Sequence, residues 1–265
     1  MLVNARRLVA VLMVGGLGAL LSSACVTNDS SIFVRGCAEI PKDTCEVLPS
    51  ITAATFLRGS VDSIYDSAYD CVLLVENQLV ERGDPTTLKT ETSRVSLYEA
   101  DVQVLDSSGR LIQRADGSSA EFSTPITGFV DPGTGDPGIG VANAVLLDFQ
   151  TIQDLGAQAI KDGTEQTVVA AVIVHGRTLG GLEVHSNQFQ FPITVCSGCK
   201  CEVPVGETCI GDMNPPDLNC RVGSDNPVDC RLMNPSQLDC PDGTIGSAQC
   251  PTPGQKPKIA CNTVK

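Results

Sequence analysis

The sequence predicts a mainly β protein: a β-sandwich followed by a small, disulfide-rich, loop-dominated C-terminal module. Three observations point there. Several short stretches alternate apolar and polar side chains with the period of two that a half-covered strand demands. Gly- and Pro-rich turns separate these stretches. From Cys196 onward, nine Cys fall in 70 residues that hold few large apolar side chains. Such a segment cannot bury enough apolar surface to fold unaided, so cross-links must hold it.

The N-terminus reads as an export signal. Residues 1–7 are short and basic, Leu8 to Leu21 is a run of 14 apolar residues, and Ser22, Ser23 and Ala24 are small. A charged start, an apolar centre and a small-residue cleavage site make a secretory signal over 1–24. The run is shorter than the ~20 residues that a membrane span requires. Leu21-Ser22-Ser23-Ala24-Cys25 resembles the lipobox of bacterial lipoproteins, although Ser22 stands where that family usually has Leu. The resemblance implies cleavage before Cys25 and a lipid, with palmitate-type acyl chains, on that residue. Cysteine parity agrees. Thirteen Cys is an odd number, and lipidating Cys25 leaves twelve that can all pair. Residue 26 is Val and not the Asp that commonly retains such proteins at the inner membrane. The resemblance therefore implies the outer membrane, facing the periplasm or the surface.

Residues 25–46 are expected to be the lipid anchor and a tether, in which Cys37 and Cys45 are close enough to close a small loop. Residues 47–195 are expected to form the sandwich. Tyr69, Cys71, Leu73, Val75, Asn77 and Leu79 share one face of a strand. Val95 and Leu97 have one parity and Val102 and Val104 the other, which a bulge around Tyr98–Asp101 reconciles. Asp106-Ser-Ser-Gly109 is a turn. Residues 131–140 (DPGTGDPGIG) hold four Gly and two Pro and read as a loop, with a strand from Val145 to Phe149. A short helix fits Ile152–Lys161, capped by Thr151 and ended by Gly163. Val168–Val174 is a continuous apolar run, as in a central strand buried on both faces. Arg177-Thr-Leu-Gly-Gly181 suits a hairpin turn. Phe189, Phe191, Ile193 and Val195 alternate with polar neighbours, and Pro192 argues for an edge or for a place where no ladder donor is needed. An immunoglobulin-like arrangement is the expected version of this sandwich.

The segment 196–265 repeats itself. Met213-Asn-Pro-Pro-Asp-Leu-Asn-Cys220 returns as Met233-Asn-Pro-Ser-Gln-Leu-Asp-Cys240, and Cys220, Cys230, Cys240 and Cys250 are spaced by ten. Repeated small loops, each tied by its Cys, follow from that period. The candidates for disulfides are Cys37, Cys45, Cys71, Cys196, Cys199, Cys201, Cys209, Cys220, Cys230, Cys240, Cys250 and Cys261. Three precede the tail and nine lie in it, so at least one bond joins the two regions if all pair within one chain. Cys71 with Cys196, or a near neighbour of Cys196, is the expected link.

Composition excludes several functions. Removing Arg6 and Arg7 with the signal leaves 16 basic against 31 acidic side chains, a net charge of −15. That disfavours nucleic acid, whose phosphates need clustered Lys and Arg, and adhesion to anionic lipid by charge alone. There is no Trp, so stacking platforms are scarce. Two His, His175 and His185, leave little for His-based catalysis or a multi-His metal site, and both read as strand-end residues. Cys196-x-x-Cys199-x-Cys201 would suggest metal in a reducing compartment, but in an exported chain it reads as disulfide. Asp131 with Asp136, and Asp225 with Asp229, match no twelve-residue calcium loop and read as solvated turns. No Gly-x-Ser-x-Gly elbow, His-Glu-x-x-His or Walker loop occurs.

No catalytic residue, metal or cofactor is therefore expected. The chain resembles the many uncharacterised Cys-rich outer-membrane lipoproteins of Gram-negative bacteria. That resemblance implies a cell-envelope protein whose partner is the membrane, reached through its N-terminal lipid. The expected role is a non-catalytic binding or structural module, with an envelope protein or glycan as a further partner that the sequence does not name. The alternative is an envelope hydrolase using carboxylate acid/base chemistry. If the tail Cys are disulfides, the unreduced protein should have no reactive thiol. Thiol titration together with metal analysis checks this, and one equivalent of zinc or iron alongside reactive thiols would overturn it.

Overall fold

The computed structural model describes residues 30–41, 46–84 and 89–202, and Asp225. Of the rest of the tail it describes the backbone of Val228–Asp229, Leu238–Asp239, Ile245–Gln249 and Lys258–Cys261. The signal 1–24, Cys25, Cys45, Cys209, Cys220, Cys230, Cys240, Cys250 and most of the tail repeat lie outside these residues.

The fold is mainly β. Strands β1 (Ile32–Ala38), β2 (Thr55–Phe56), β4 (Tyr69–Asn77) and β7 (Gly138–Leu147) form one sheet in the order β2-β1-β4-β7. A larger sheet has the order β3-β10-β8-β5-β6. Its strands are β3 (Gly59–Asp62), β5 (Val95–Leu105), β6 (Glu121–Val130), β8 (Gln166–Thr178) and β10 (Phe189–Cys196), and β9 (Glu183–His185) pairs with β8. The inward faces of both sheets feed one apolar cluster, which includes Leu73 and Val75 of β4, Ala142 of β7, Val102 of β5 and Val172 of β8. In the tail, β11 (Cys201–Glu202) pairs in parallel with β12 (Val228–Asp229). Strands β13 (Leu238–Asp239), β14 (Ile245–Gln249) and β15 (Lys258–Cys261) make a small antiparallel sheet.

Alternation places β4 and β10 as the sequence predicts. Tyr69, Cys71, Leu73, Val75 and Asn77 are all buried. Asn77 is satisfied in the core: its amide donates to the Ser93 and Val130 carbonyls at 2.9 and 3.0 Å, and its Oδ1 accepts from Leu79 N–H at 2.9 Å. Pro192 lies in an interior strand, but β3 pairs only with residues 193–196 of β10. The missing Pro N–H therefore falls where no neighbour needs it. The register of β5 shifts between Leu97 and Glu99 on both sides, at the expected bulge. Asp106 accepts from Ser108 N–H and Arg110 N–H, and Gly109 takes the left-handed φ of 78° that closes this turn.

Several expectations need correction. The segment 25–46 is not all tether, because Ile32–Ala38 is β1, paired to β4. A register shift between Val34 and Gly36 breaks the alternation that would have marked it. The loop expected at 131–140 ends sooner, since β7 begins at Gly138 and runs to Leu147. The helix α1 spans Phe149–Asp162, and its N-cap is Asp148, whose carboxylate accepts from Thr151 N–H. Thr151 is instead buried inside the first turn. Gly163 does end α1, with a left-handed φ of 66°. Strand β8 is central, but only its inner face is fully buried; Val169 and Ile173 on the outer face are half-buried.

The disulfide partners also differ. Cys71 pairs with Cys37, and Cys196 pairs with Cys199. Cys37 and Cys71 lie on adjacent strands of the smaller sheet with Cα atoms 5.5 Å apart, within the reach of a disulfide. Cys196 ends β10 in the other sheet. Of the three Cys that precede the tail, this leaves Cys45. If every Cys except Cys25 pairs within one chain, the cross-link to the tail falls to Cys45.

The Cys37–Cys71 bond closes a loop across 34 residues, a constraint on the unfolded chain worth roughly 3–4 kcal/mol. Replacing both residues by Ala should lower the unfolding free energy by about that amount. Urea unfolding of the double variant checks this, and a loss under ~1 kcal/mol would show that the bond does not constrain the unfolded chain as the entropy argument requires.

Candidate functional site

Two polar constellations stand out among the described residues. One is buried where β10 leaves the sandwich. Asp62, at the end of β3, is 0% exposed. Its Oδ1 accepts from Ile64 N–H at 3.1 Å and from Gly198 N–H at 2.7 Å, and its Oδ2 accepts from Lys200 N–H at 2.9 Å. Lys200, itself buried, donates from Nζ to the Ser60 carbonyl and lies 3.8 Å from Asp66. Asp225 of the tail accepts at 2.6 Å from both Ser60 N–H and the Tyr69 hydroxyl. Gly59 is required here, because a Cβ on it would lie 2.4 Å from the Tyr69 hydroxyl oxygen.

Burial sets the electrostatics of this cluster. It pushes the carboxyls of Asp62 and Asp225 above the usual carboxylate range, against the opposing pull of their hydrogen-bond donors. It lowers the Lys200 ammonium, against the pull of Asp66, Asp225 and Asp62. It also pushes the Tyr65 hydroxyl up to about 12, with the Asp62 charge adding to the effect. Asp62 and the two Sγ atoms of Cys196 and Cys199 lie within 4.8 Å of one another. Those sulfurs are bonded to each other, so they are not the thiolates that a metal would require.

The second constellation lies on the outer face of the larger sheet. Pleat alternation turns Asp101 and Gln103 of β5, Glu121 and Ser123 of β6, and Ala171 and Ile173 of β8 toward a groove of ≈ 330 Å³, which Gln188 completes. Cross-strand partners share this face. Asp101 is opposite Ser123 and Ile173, Glu99 is opposite His175, and His175 is opposite His185. The Ser123 hydroxyl donates to Asp101 Oδ1 at 2.6 Å, and His175 Nε2 lies 2.8 Å from Asp101 Oδ2. The Ser123 hydroxyl and His175 hold the Asp101 carboxyl below the usual range. Beyond them, Tyr98 donates to Glu183 at 3.1 Å, and Arg177 pairs with the same carboxylate.

Neither constellation is arranged for carboxylate acid/base chemistry. The desolvated carboxylates, Asp62 and Asp225, are occupied by backbone N–H groups and Tyr69, and neither lines the groove. The groove's own acids are half-buried or exposed. The trio Ser123, Asp101 and His175 has the carboxylate between the hydroxyl and the imidazole. The imidazole therefore cannot take the hydroxyl proton, as a Ser-His-Asp arrangement requires.

No local pattern in the sequence marks the docking of Asp225 on Tyr69, and each of the two His taken alone reads as a strand-end residue. The signal that unites them is in the hairpin: His175 and His185 are equidistant from Gly180, so a turn at the paired glycines sets them opposite each other. Of the expected turn acids, Asp225 is instead docked, and Asp131 pairs with Arg94.

No family model matches the chain, and no curated protein matches it. Among solved structures, the solution structure of a protein described as late embryogenesis abundant is similar over 73% of this chain and 87% of that chain. The identity is 12% and the TM-score 0.29, too low for the likeness to carry an argument.

The Asp62 geometry predicts a graded series. Asp62→Ala leaves three N–H groups without that acceptor, those of Gly198 and Lys200 buried and that of Ile64 half-buried, at ~1–3 kcal/mol for each buried one before relaxation. Asp62→Asn keeps the two bonds to Oδ1 and opposes a donor to Lys200 N–H, so it should cost about one such bond. The pH dependence follows from the raised folded-state pKa. Between the unfolded and folded values the native state binds more protons, so the Asp62 contribution is fully present at low pH and is lost as pH rises through the folded value. The stability gap between the parent and Asp62→Asn should therefore narrow with rising pH. Denaturant titrations across that range check it, and a gap that widens would refute this assignment.

Proposed function

We propose that this chain is a lipid-anchored protein of the bacterial cell envelope whose sandwich is a non-catalytic binding module, presenting the open outer face of its larger sheet. The separation of desolvation from access carries this reading. A carboxylate hydrolase needs a group of raised pKa within reach of its substrate. Here the raised groups tie the tail to the sandwich, and the accessible groups are matched in cross-strand pairs. A groove lined by both polar side chains and apolar ones such as Phe122 and Ile173, with exposed Tyr98 on the same sheet, suits recognition better than proton transfer.

The envelope assignment rests on the signal over 1–24 and on Cys25, with two further supports. The Cys37–Cys71 and Cys196–Cys199 disulfides fit an oxidising compartment. Val26 fits outer-membrane sorting under the lipoprotein resemblance.

The anchor is tested by detergent phase partition in a Gram-negative host. The parent should enter the detergent phase, and Cys25→Ser should leave it or stall before processing. A fully processed Cys25→Ser protein that still partitions with detergent would refute the lipid at Cys25.

A further inference from the structure

We propose that His175 and His185 form a binding site for a divalent transition-metal ion on the outer face of the larger sheet. The two residues are direct partners across β8 and β9, with ring centroids 6.4 Å apart. Two imidazoles sharing one ion at a metal–nitrogen distance of ~2.0–2.1 Å have ring centres roughly 5–6 Å apart.

The hydrogen bonds decide which nitrogens are available. His175 Nε2 is 2.8 Å from Asp101 Oδ2. Ionised Asp101 only accepts, so Nε2 carries the proton and Nδ1 of the neutral ring keeps its lone pair. His185 Nδ1 is 3.2 Å from the Ser186 carbonyl oxygen, which also only accepts. Its Nδ1 carries the proton, and Nε2 of the neutral ring keeps the lone pair. Each ring thus has one nitrogen fixed by an oxygen acceptor and the other free. This is the outer-shell pattern, carboxylate or carbonyl behind imidazole, that orients His ligands and raises their basicity. Ser123 in turn holds Asp101 through a 2.6 Å hydrogen bond. Glu99, the partner of His175 on the opposite strand, adds negative charge along the same row.

Two imidazoles with solvent completing the coordination favour copper, then nickel, over manganese. This inference deepens the binding-module reading by naming a ligand for that face, and it does not depend on the anchor. The test is calorimetric titration of the oxidised full chain with Cu²⁺, Ni²⁺ and Mn²⁺ alone, with electron paramagnetic resonance of the copper form. The expected result is one copper equivalent, showing nitrogen hyperfine structure from two imidazoles, that is lost in the His175→Ala/His185→Ala double variant. Asp101→Ala should keep the site but weaken it by ~10-fold. In the unaltered protein, Cu²⁺ should broaden backbone amide signals around residues 175 and 185 first, a readout that needs no variant. Equal copper binding by parent and double variant, or broadening centred elsewhere, would overturn the site. Membrane partition through Cys25 would be unaffected by either outcome, so failure here is distinguishable from failure of the anchor.

Discussion

A strand with one face in the core and the other toward solvent must sort its side chains by parity, and β8 lies under that constraint through most of its length. Val168, Ala170, Val172 and Val174 point inward and are essentially inaccessible. Their spacing obliges Val169, Ala171, Ile173, His175 and Arg177 to point outward. Strands β5, β10 and β9 all take their register from β8. Slipping any of them by one residue would move its whole apolar set to the wrong face. Gly176 shows how tight the inner side is, because a Cβ there would lie 2.6 Å from a Val95 methyl group. The outer constellation is thus a by-product of core packing: Asp101 meets His175, and His175 meets His185, because the residues beside them are buried.

The second organising element is polar. Asp62 holds the backbone just beyond β10, at Gly198 and Lys200, to the end of β3, and Asp225 docks on Tyr69 a few residues away. α1 joins the same place through Gln153, which donates to the Ser63 carbonyl at 2.9 Å. A buried charge of this kind stabilises little by itself, but removing one partner strands the others in a medium that solvates them poorly. Its effect is to define one geometry for the exit of the chain. The disulfide expected between Cys71 and the tail is replaced, among the described residues, by this hydrogen-bonded cluster.

What could be read from the sequence was whatever repeats with a regular period. β4 and β10 alternate cleanly, the bulge in β5 shows as a change of parity, and the β8–β9 hairpin is marked by its glycines. β1 was hidden because its register shift puts Cys37, on the core face, out of phase with Ile32. β6 was hidden because Pro125 and Gly128 look like loop residues, yet β6 is the outermost strand of its sheet, where a missing N–H costs little. Disulfide partners and the docking of Asp225 depend on distance in space, which no local period encodes. The lipid anchor is a different kind of inference, drawn from a motif and from cysteine parity.

The start of the described chain fixes a geometric relation between the sandwich and any surface that holds Cys25. The Ser30 hydroxyl donates to Asn187 at 2.6 Å, and Ile32 bridges to Ser186, so the polypeptide enters the fold beside β9. Four residues lie between Cys25 and Ser30, so five residue steps join them, and an extended chain covers at most ~3.6 Å per step. A lipid on Cys25 would therefore hold the β9 side within roughly 18 Å of the headgroups. Cys196 lies near the opposite end of β8, about eight residues or ~27 Å away along the strand. The β9 end of the sheet would then lie next to the bilayer, and the tail would leave from the far end.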